Sequence, residues 1–187
     1  PNLCPHFHLS MQSGCDSVLA RMNRKYDSAR YYKSVKLLNE AYEAPGITTD
    51  LIVGFPGETE EEFQQTLAFI RRCAFSAMHI FPYSRRPGTP ADGMPGQILN
   101  SIKEERAHRA QQTALEMEAA YLDRWVGQTV PVLFEEERDG LWRGHTTRYS
   151  EVAAPSGEDL HNQLRQVYIT GRAGNILQGE LCEGQEK

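Results

Sequence analysis

The chain has 187 residues, 40% of them hydrophobic, and a formal net charge of -5. That balance supports a buried core and excludes a disordered chain or a broadly basic nucleic-acid binder. No apolar run approaches the roughly 20 residues of a membrane span, and the four cysteines, Cys4, Cys15, Cys73 and Cys182, show neither a zinc spacing nor a dense disulfide pattern. They read as free thiols of a reducing cytoplasm.

The first residues, "PNLCPHFHLS", contain no initiator Met and lead straight into a strand at His6-Phe7-His8-Leu9. The expectation is a cut through a larger protein. After "QSGCD", Asp16 is expected to cap a short helix through Met22. A longer helix from about Ser28 carries Tyr31, Val35, Leu38 and Tyr42 on one face at 3.6-residue spacing. Pro45-Gly46 breaks it, and Ile47 to Val53 reads as a buried strand. Thr59 with Glu62 forms a capping box ahead of a helix whose apolar stripe is Phe63, Leu67 and Ile70. "SAMHIFPYS", Ser76 to Ser84, is the next strand. This strand–helix alternation predicts right-handed βαβ units with parallel pairing.

Composition changes at Arg85. "RRPGTPADGMPGQ" holds three prolines and three glycines, so it is a loop that covers something. A long helix from about Ile98 to Trp125 follows, with Ala110, Ala114, Met117 and Tyr121 facing inward. Beyond Gly127 come short strands, "TVPVLFEEE", a turn at Asp139-Gly140, "LWRGHTTRYSEVAAP" and "QLRQVYITGRAGNILQGEL", at the spacing of a small barrel. The predicted class is α/β: a partial (β/α) barrel over 1–126, followed by a small all-β barrel over 127–187.

Parallel α/β sheets bind ligands at the carboxyl ends of their strands. Three successive strand ends here carry unusual residues: "SMQSG", "GFPGE" and "PYSRRPGT". Gly54 and Gly57 lack a Cβ and permit close approach. Gln12 and Ser13 supply neutral donors and acceptors, Arg24 suits a carboxylate, and Tyr83-Ser84 sets a flat ring beside a hydroxyl. Taken singly, each also reads as a tight turn, a capped loop or a solvated charge. It is the succession of three that points to a site.

"HLSMQSGCDSVLARMNRKY", "ITTDLIVGFPGETEEEF" and "HIFPYSRRPGTPA" resemble the carboxyl half of the radical S-adenosylmethionine core of the tRNA methylthiotransferases. The terminal segment resembles the TRAM domain that follows that core. The likeness spans nearly the whole chain in three long, ordered motifs, and "HLS", "MNRKY" and "FPYS" look most like the threonylcarbamoyladenosine branch. It implies that Ile52 and Gly54 flank the adenine and ribose of S-adenosylmethionine, with Thr49 or Asp50 facing the barrel interior. It further implies that Gln12 and Ser13 make polar contacts, that Arg24 meets the cofactor's carboxylate, and that Phe81, Tyr83 and Ser84 read the adenine edge. Glu58, Glu60, Glu61 and Glu62 read as a helix beginning, suited to the positive end of its dipole, and not as catalytic acids.

One departure from the family stands out. Its reductive chemistry requires a [4Fe–4S] cluster on a C-x3-C-x2-C triplet, and no such triplet occurs here. Cys4 and Cys15 are too far apart to be its remnant. The family's amino-terminal domain, with its second cluster, is expected to lie outside this stretch of sequence. The full-length parent would cleave S-adenosylmethionine to a 5′-deoxyadenosyl radical and install a methylthio group on threonylcarbamoyladenosine beside the tRNA anticodon. This chain alone is expected to be inactive. Its partners would be tRNA, the missing amino-terminal part and an unidentified electron donor, in the cytoplasm and away from membranes.

In the second domain, "RGHTTRYSEV" offers Arg143, His145, Thr147, Arg148 and Tyr149, which Arg172 of "TGRAG" can join, as a basic and aromatic RNA-binding cluster. The alternative is a solvated rim with Tyr149 in the core. The acids Glu135 to Glu137, Asp139, Glu158 and Asp159 oppose strong phosphate binding. Three other readings stay open: the isopentenyladenosine branch, a ribosomal-protein substrate, and a non-catalytic RNA-binding remnant.

Overall fold

A computed structural model describes residues 3–182. The chain divides into two compact units, one formed by Phe7–Met117 and the other by Pro1–His6 with Glu118–Lys187.

In chain order the first elements are β1 (His6–His8), α1 (Asp16–Arg21), α2 (Ser28–Ala41), β2 (Gly46–Val53), α3 (Glu60–Cys73) and β3 (Ala77–Pro82). The sheet order is β1-β2-β3, and β2 runs parallel to β3 with Asp50 opposite His79 and Ile52 opposite Phe81. Burial alternates along β2: Thr49, Leu51 and Val53 are buried while Thr48, Asp50 and Ile52 are only partly so, as a strand's period of two requires. The buried face packs with Tyr31 and Val35 of α2 and with Phe63, Leu67 and Ile70 of α3.

Local sequence accounts for the helix ends. Asp27 caps α2 by accepting from the Arg30 N–H, and Thr59 and Glu62 close a reciprocal capping box on α3. The expected cap at Asp16 is absent: Cys15 precedes α1 without a side-chain cap, and the Asp16 carboxylate instead accepts from the Ser28 N–H at 2.7 Å. It ties α1 to the start of α2.

The Pro/Gly loop after β3 contains one 3-10 turn, Pro90–Gly93, before α4 (Asn100–Leu122) and a second 3-10 turn, Asp123–Trp125. Ala110 and Ala114 of α4 are buried in the core of the first unit.

The second unit is a closed barrel of β4 (Thr129–Arg138), β5 (Leu141–Thr146), β6 (Glu151–Ala154), β7 (Leu164–Ala173) and β8 (Ile176–Leu181), in the order β4-β5-β6-β8-β7. Its buried residues include Val130, Val132, Phe134, Val152, Val167, Ile169 and Leu177. Asp139 and Gly140 both have positive φ, 55° and 77°, the two-residue hairpin geometry. "LWRGHTTRYSEVAAP" proves to be two strands. Between them the Thr146 hydroxyl accepts from the Arg148 and Ser150 N–H groups, and Tyr149 turns the chain at φ 64°. Closure leaves no long free strand edge.

Candidate functional site

At the carboxyl end of the sheet, the chain after β1 adds a short parallel piece. Gln12 donates its N–H to the Asp50 carbonyl and accepts from the Ile52 N–H, both at 2.9 Å. Thr49 anchors this piece from below, its hydroxyl accepting from the Met11 N–H at 3.0 Å and lying 3.2 Å from the Tyr31 hydroxyl. Gln12, Ile52 and Phe81 are thereby brought side by side.

Around them is a pocket of about 550 Å³ lined by Gln12, Asp50, Ile52, Phe81, Pro82, Tyr83, Ser84, Arg86, Thr89 and Ala91. That volume lies in the range of small-molecule sites. Six of the nine candidate cofactor residues line it: Gln12, Asp50, Ile52, Phe81, Tyr83 and Ser84. The other three lie outside its wall. Ser13 is buried, with its hydroxyl bonded to Thr66 and to the Cys15 N–H. Arg24 is exposed just beyond α1. Gly54 sits in the strand-to-helix turn. Arg86, Thr89 and Ala91 are additions. Their signal in the sequence is only the Pro/Gly loop that carries them, which does not single out individual residues as ligands.

One polar edge of the pocket is organised. The Asp50 carboxylate takes His8 Nε2 at 3.1 Å and the Ser10 hydroxyl at 3.3 Å, while His8 Nδ1 lies 3.0 Å from the Thr48 hydroxyl. Opposite, Tyr83 meets Phe55 edge-on, and the Lys103 ammonium donates to the Tyr83 carbonyl at 3.0 Å.

The acids after "GFPG" divide by role. Glu58 is buried, accepts the Gly54 N–H at 2.6 Å and pairs with Arg106 at 2.9 Å. Burial raises its pKa despite both partners. Glu62 takes both terminal nitrogens of Arg21, at 3.0 and 2.6 Å, and that guanidinium lowers its pKa to about 2. Glu60 pairs with Arg109 at 2.6 Å. All three carboxylates are engaged by arginines of this unit.

In the barrel unit, Arg143 pairs with Glu151 at 3.3 Å and Arg172 with Asp123 at 2.6 Å. The Arg148 guanidinium lies over the Trp125 ring at 4.4 Å, and Thr147 is half-buried. Tyr149 is outside the core, 66% exposed, with His145 stacked at 4.6 Å and His6 at 5.1 Å. The acids read as opposing phosphate binding are thus partly engaged: Glu135 holds His145 at 2.8 Å and Glu158 holds Arg165 at 3.2 Å.

Cys15 and Cys73 are buried and Cys4 and Cys182 exposed, and among the described residues no three His, Cys, Asp or Glu side chains converge as metal ligands. Among the described residues, these donors do not fit an iron–sulfur cluster. No helix among the described residues is long and apolar enough to cross a membrane.

The profile of the Radical SAM superfamily matches residues 2–70. The chain is 37% identical over 191 residues to the threonylcarbamoyladenosine tRNA methylthiotransferase of Bacillus subtilis (strain 168), covering 95% of this chain and 42% of that relative. It is 45% identical over 135 residues to the protein of the same name from Thermotoga maritima, covering 72% and 31%. To the tRNA-2-methylthio-N(6)-dimethylallyladenosine synthase of Oleidesulfovibrio alaskensis it is 43% identical over 202 residues, covering 96% and 44%. The chain therefore spans less than half the length of these relatives. With relatives aligned along nearly its whole length, on a parallel sheet that continues into a small barrel, the chain belongs to the radical S-adenosylmethionine tRNA methylthiotransferase family.

Proposed function

We propose that the chain forms part of a cytoplasmic enzyme that adds a methylthio group to threonylcarbamoyladenosine in tRNA. In this reading the first unit supplies one wall of the S-adenosylmethionine site, and the barrel is a TRAM-like tRNA-binding module. The observation that carries it is the pocket at the sheet's carboxyl end, where Ile52 and Phe81 give apolar walls beside the polar Gln12, Asp50 and Ser84. A nucleoside needs that combination: flat apolar surface for the base and fixed hydrogen-bonding groups for the ribose. The pocket therefore fits S-adenosylmethionine, which when bound supplies the family's radical-forming chemistry.

The residues of this chain would bind and orient. Ile52 and Phe81 would sandwich the adenine, Gln12 would bond the ribose or amino-acid part, and backbone groups near Tyr83 and Ser84 would read the adenine edge. Ser13, Gly54 and Arg24 would act from behind or beside the wall. In the barrel, Arg143, Thr147, Arg148, Tyr149 and Arg172 would contact RNA. The cluster ligands would come from outside this chain, with its amino-terminal counterpart and an electron donor as partners.

The threonylcarbamoyladenosine branch is supported by "HLS", "MNRKY" and "FPYS" and by the names of two relatives. A second reading, an isopentenyladenosine-type substrate, is supported by relatives named as dimethylallyladenosine synthases at 36–43% identity. Mass spectrometry of tRNA nucleosides from a strain lacking the gene decides between them. Loss of 2-methylthio-threonylcarbamoyladenosine is expected. Its persistence, with loss of the methylthiolated isopentenyl nucleoside, would overturn the branch, and no change in either would overturn tRNA methylthiolation.

A further inference from the structure

Among the described residues, Arg86 contributes the only cationic side chain in the wall of the pocket. It is exposed, on the loop after β3. Its neighbour Arg85 is engaged, donating to the Asp92 carboxylate and carbonyl at 2.8 Å each. Arg86 differs. The Thr89 N–H and hydroxyl both donate to its carbonyl, at 3.2 and 2.8 Å, so its backbone is pinned in a tight turn. Gln97 braces the same loop by donating to the Ala91 and Met94 carbonyls at 3.0 Å. Yet among the described residues the Arg86 guanidinium has no ion pair or hydrogen bond. Asp50 in the pocket wall is already held by His8 and Ser10.

A held backbone with an unengaged guanidinium suits a ligand that brings its own anion. The planar fork of arginine matches phosphate or carboxylate oxygens in pairs. A base that leaves its stack to enter a pocket carries its phosphates to the pocket's rim, and such contacts fix register without reading sequence. The chain is acidic overall, at -5, so a local cation is needed where a polyanion must approach. Resting on the function proposed above, we infer that Arg86 is a positioning residue that grips an RNA backbone phosphate beside the nucleotide presented at the mouth of the cofactor pocket.

The test measures binding of a fluorescein-labelled anticodon stem-loop RNA to the full-length protein across a series of KCl concentrations. S-adenosylmethionine affinity is measured separately by calorimetry, and folding by thermal melting. Arg86→Ala should weaken RNA binding about tenfold and flatten the log–log salt slope by about 0.7, one single-strand phosphate contact, with S-adenosylmethionine affinity and melting unchanged. Arg86→Lys should keep the slope while losing part of the affinity, because an ammonium lacks the fork. Arg30→Ala, removing an exposed arginine of α2 outside the pocket, should change neither. Wild-type RNA affinity and slope in Arg86→Ala would overturn the inference and leave the proposed function standing. Lost S-adenosylmethionine affinity with an unchanged RNA slope would overturn it in favour of the cofactor's carboxylate. Failure of the wild-type protein to bind the RNA would overturn both.

Discussion

The Glu58 carboxylate accepts the Gly54 N–H at 2.6 Å, and the same oxygen receives Arg106 of α4 at 2.9 Å. One buried acid thus joins the turn after β2 to a helix 48 residues further on. Arg106 also donates to the Glu58 carbonyl at 3.0 Å. Removing one partner of such a pair leaves the other charge buried without its counterpart. Glu58→Ala should therefore cost about 3–5 kcal/mol, measured by urea denaturation, and a loss below about 1 kcal/mol would show that the pair is dispensable.

Gly54 makes a second demand on this turn. Its φ is +72°, and a Cβ built there lies 2.2 Å from Cγ of Lys103. Gly54→Val should lower the melting temperature, so that lost ligand binding follows from a displaced turn rather than from a blocked pocket. Lys103→Ala in the same chain should recover the part due to the collision and not the part due to φ. Strict additivity of the two changes would remove Lys103 from the explanation.

Acid stability follows from Glu62. Its folded pKa, about 2, lies below the ordinary 4.5 because the Arg21 guanidinium holds the ionised form. A depressed carboxylate contributes its stability above the unfolded pKa and loses it as pH falls through the folded one. The window is therefore about pH 4.5 down to about 2. Arg21→Met should destabilise the protein at pH 6 and make little difference at pH 2. An equal difference between the two proteins at both values would mean that the ion pair is not what matters.

Much of this arrangement was legible in the sequence because it is local. The capping box at Thr59 and Glu62, the hairpin at Asp139-Gly140 and the alternation along β2 depend on neighbours a few residues apart. The acids after Gly57 read in the sequence as a helix beginning, and only the structure shows that Glu58 is a buried lock while Glu62 clasps Arg21. Those roles depend on partners from α4 and α1, at separations no local pattern encodes. For the same reason Ser13 lies behind the pocket despite adjoining Gln12. At Gln12 the chain turns at φ 69°, a conformation that residue type does not announce. Arg86 and Thr89 were hidden differently, in a Pro/Gly loop whose periodicity carries no information about direction.

The pocket's apolar wall can be tested without disturbing the fold. Phe81 is 52% exposed, so Phe81→Ala should change the melting temperature little. If the ring covers a bound adenine, S-adenosylmethionine affinity of the full-length protein should fall by roughly 1–2 kcal/mol. Unchanged affinity by calorimetry would move the adenine elsewhere.

The barrel rim separates RNA contact from structure most cleanly. His6, Tyr149 and His145 form a run of stacked rings, with Tyr149 exposed in the middle. Because the tyrosine is outside the core, Tyr149→Ala should leave the melting temperature nearly unchanged. If a base stacks there, taking the place of one flanking ring, RNA binding should weaken by roughly 1–3 kcal/mol. Arg148 contributes differently: its guanidinium lies over Trp125, so Arg148→Ala should cost about 0.5–1 kcal/mol of stability. If the same guanidinium also meets a phosphate, it should flatten the salt dependence by about one contact. Arg143 and Arg172 already pair with Glu151 and Asp123, so each must exchange a carboxylate for a phosphate, and their alanine variants should move the slope less. Melting and salt-dependent binding must be measured on the same preparations. A folded Arg148→Ala protein with wild-type affinity and slope would remove this loop from the RNA interface.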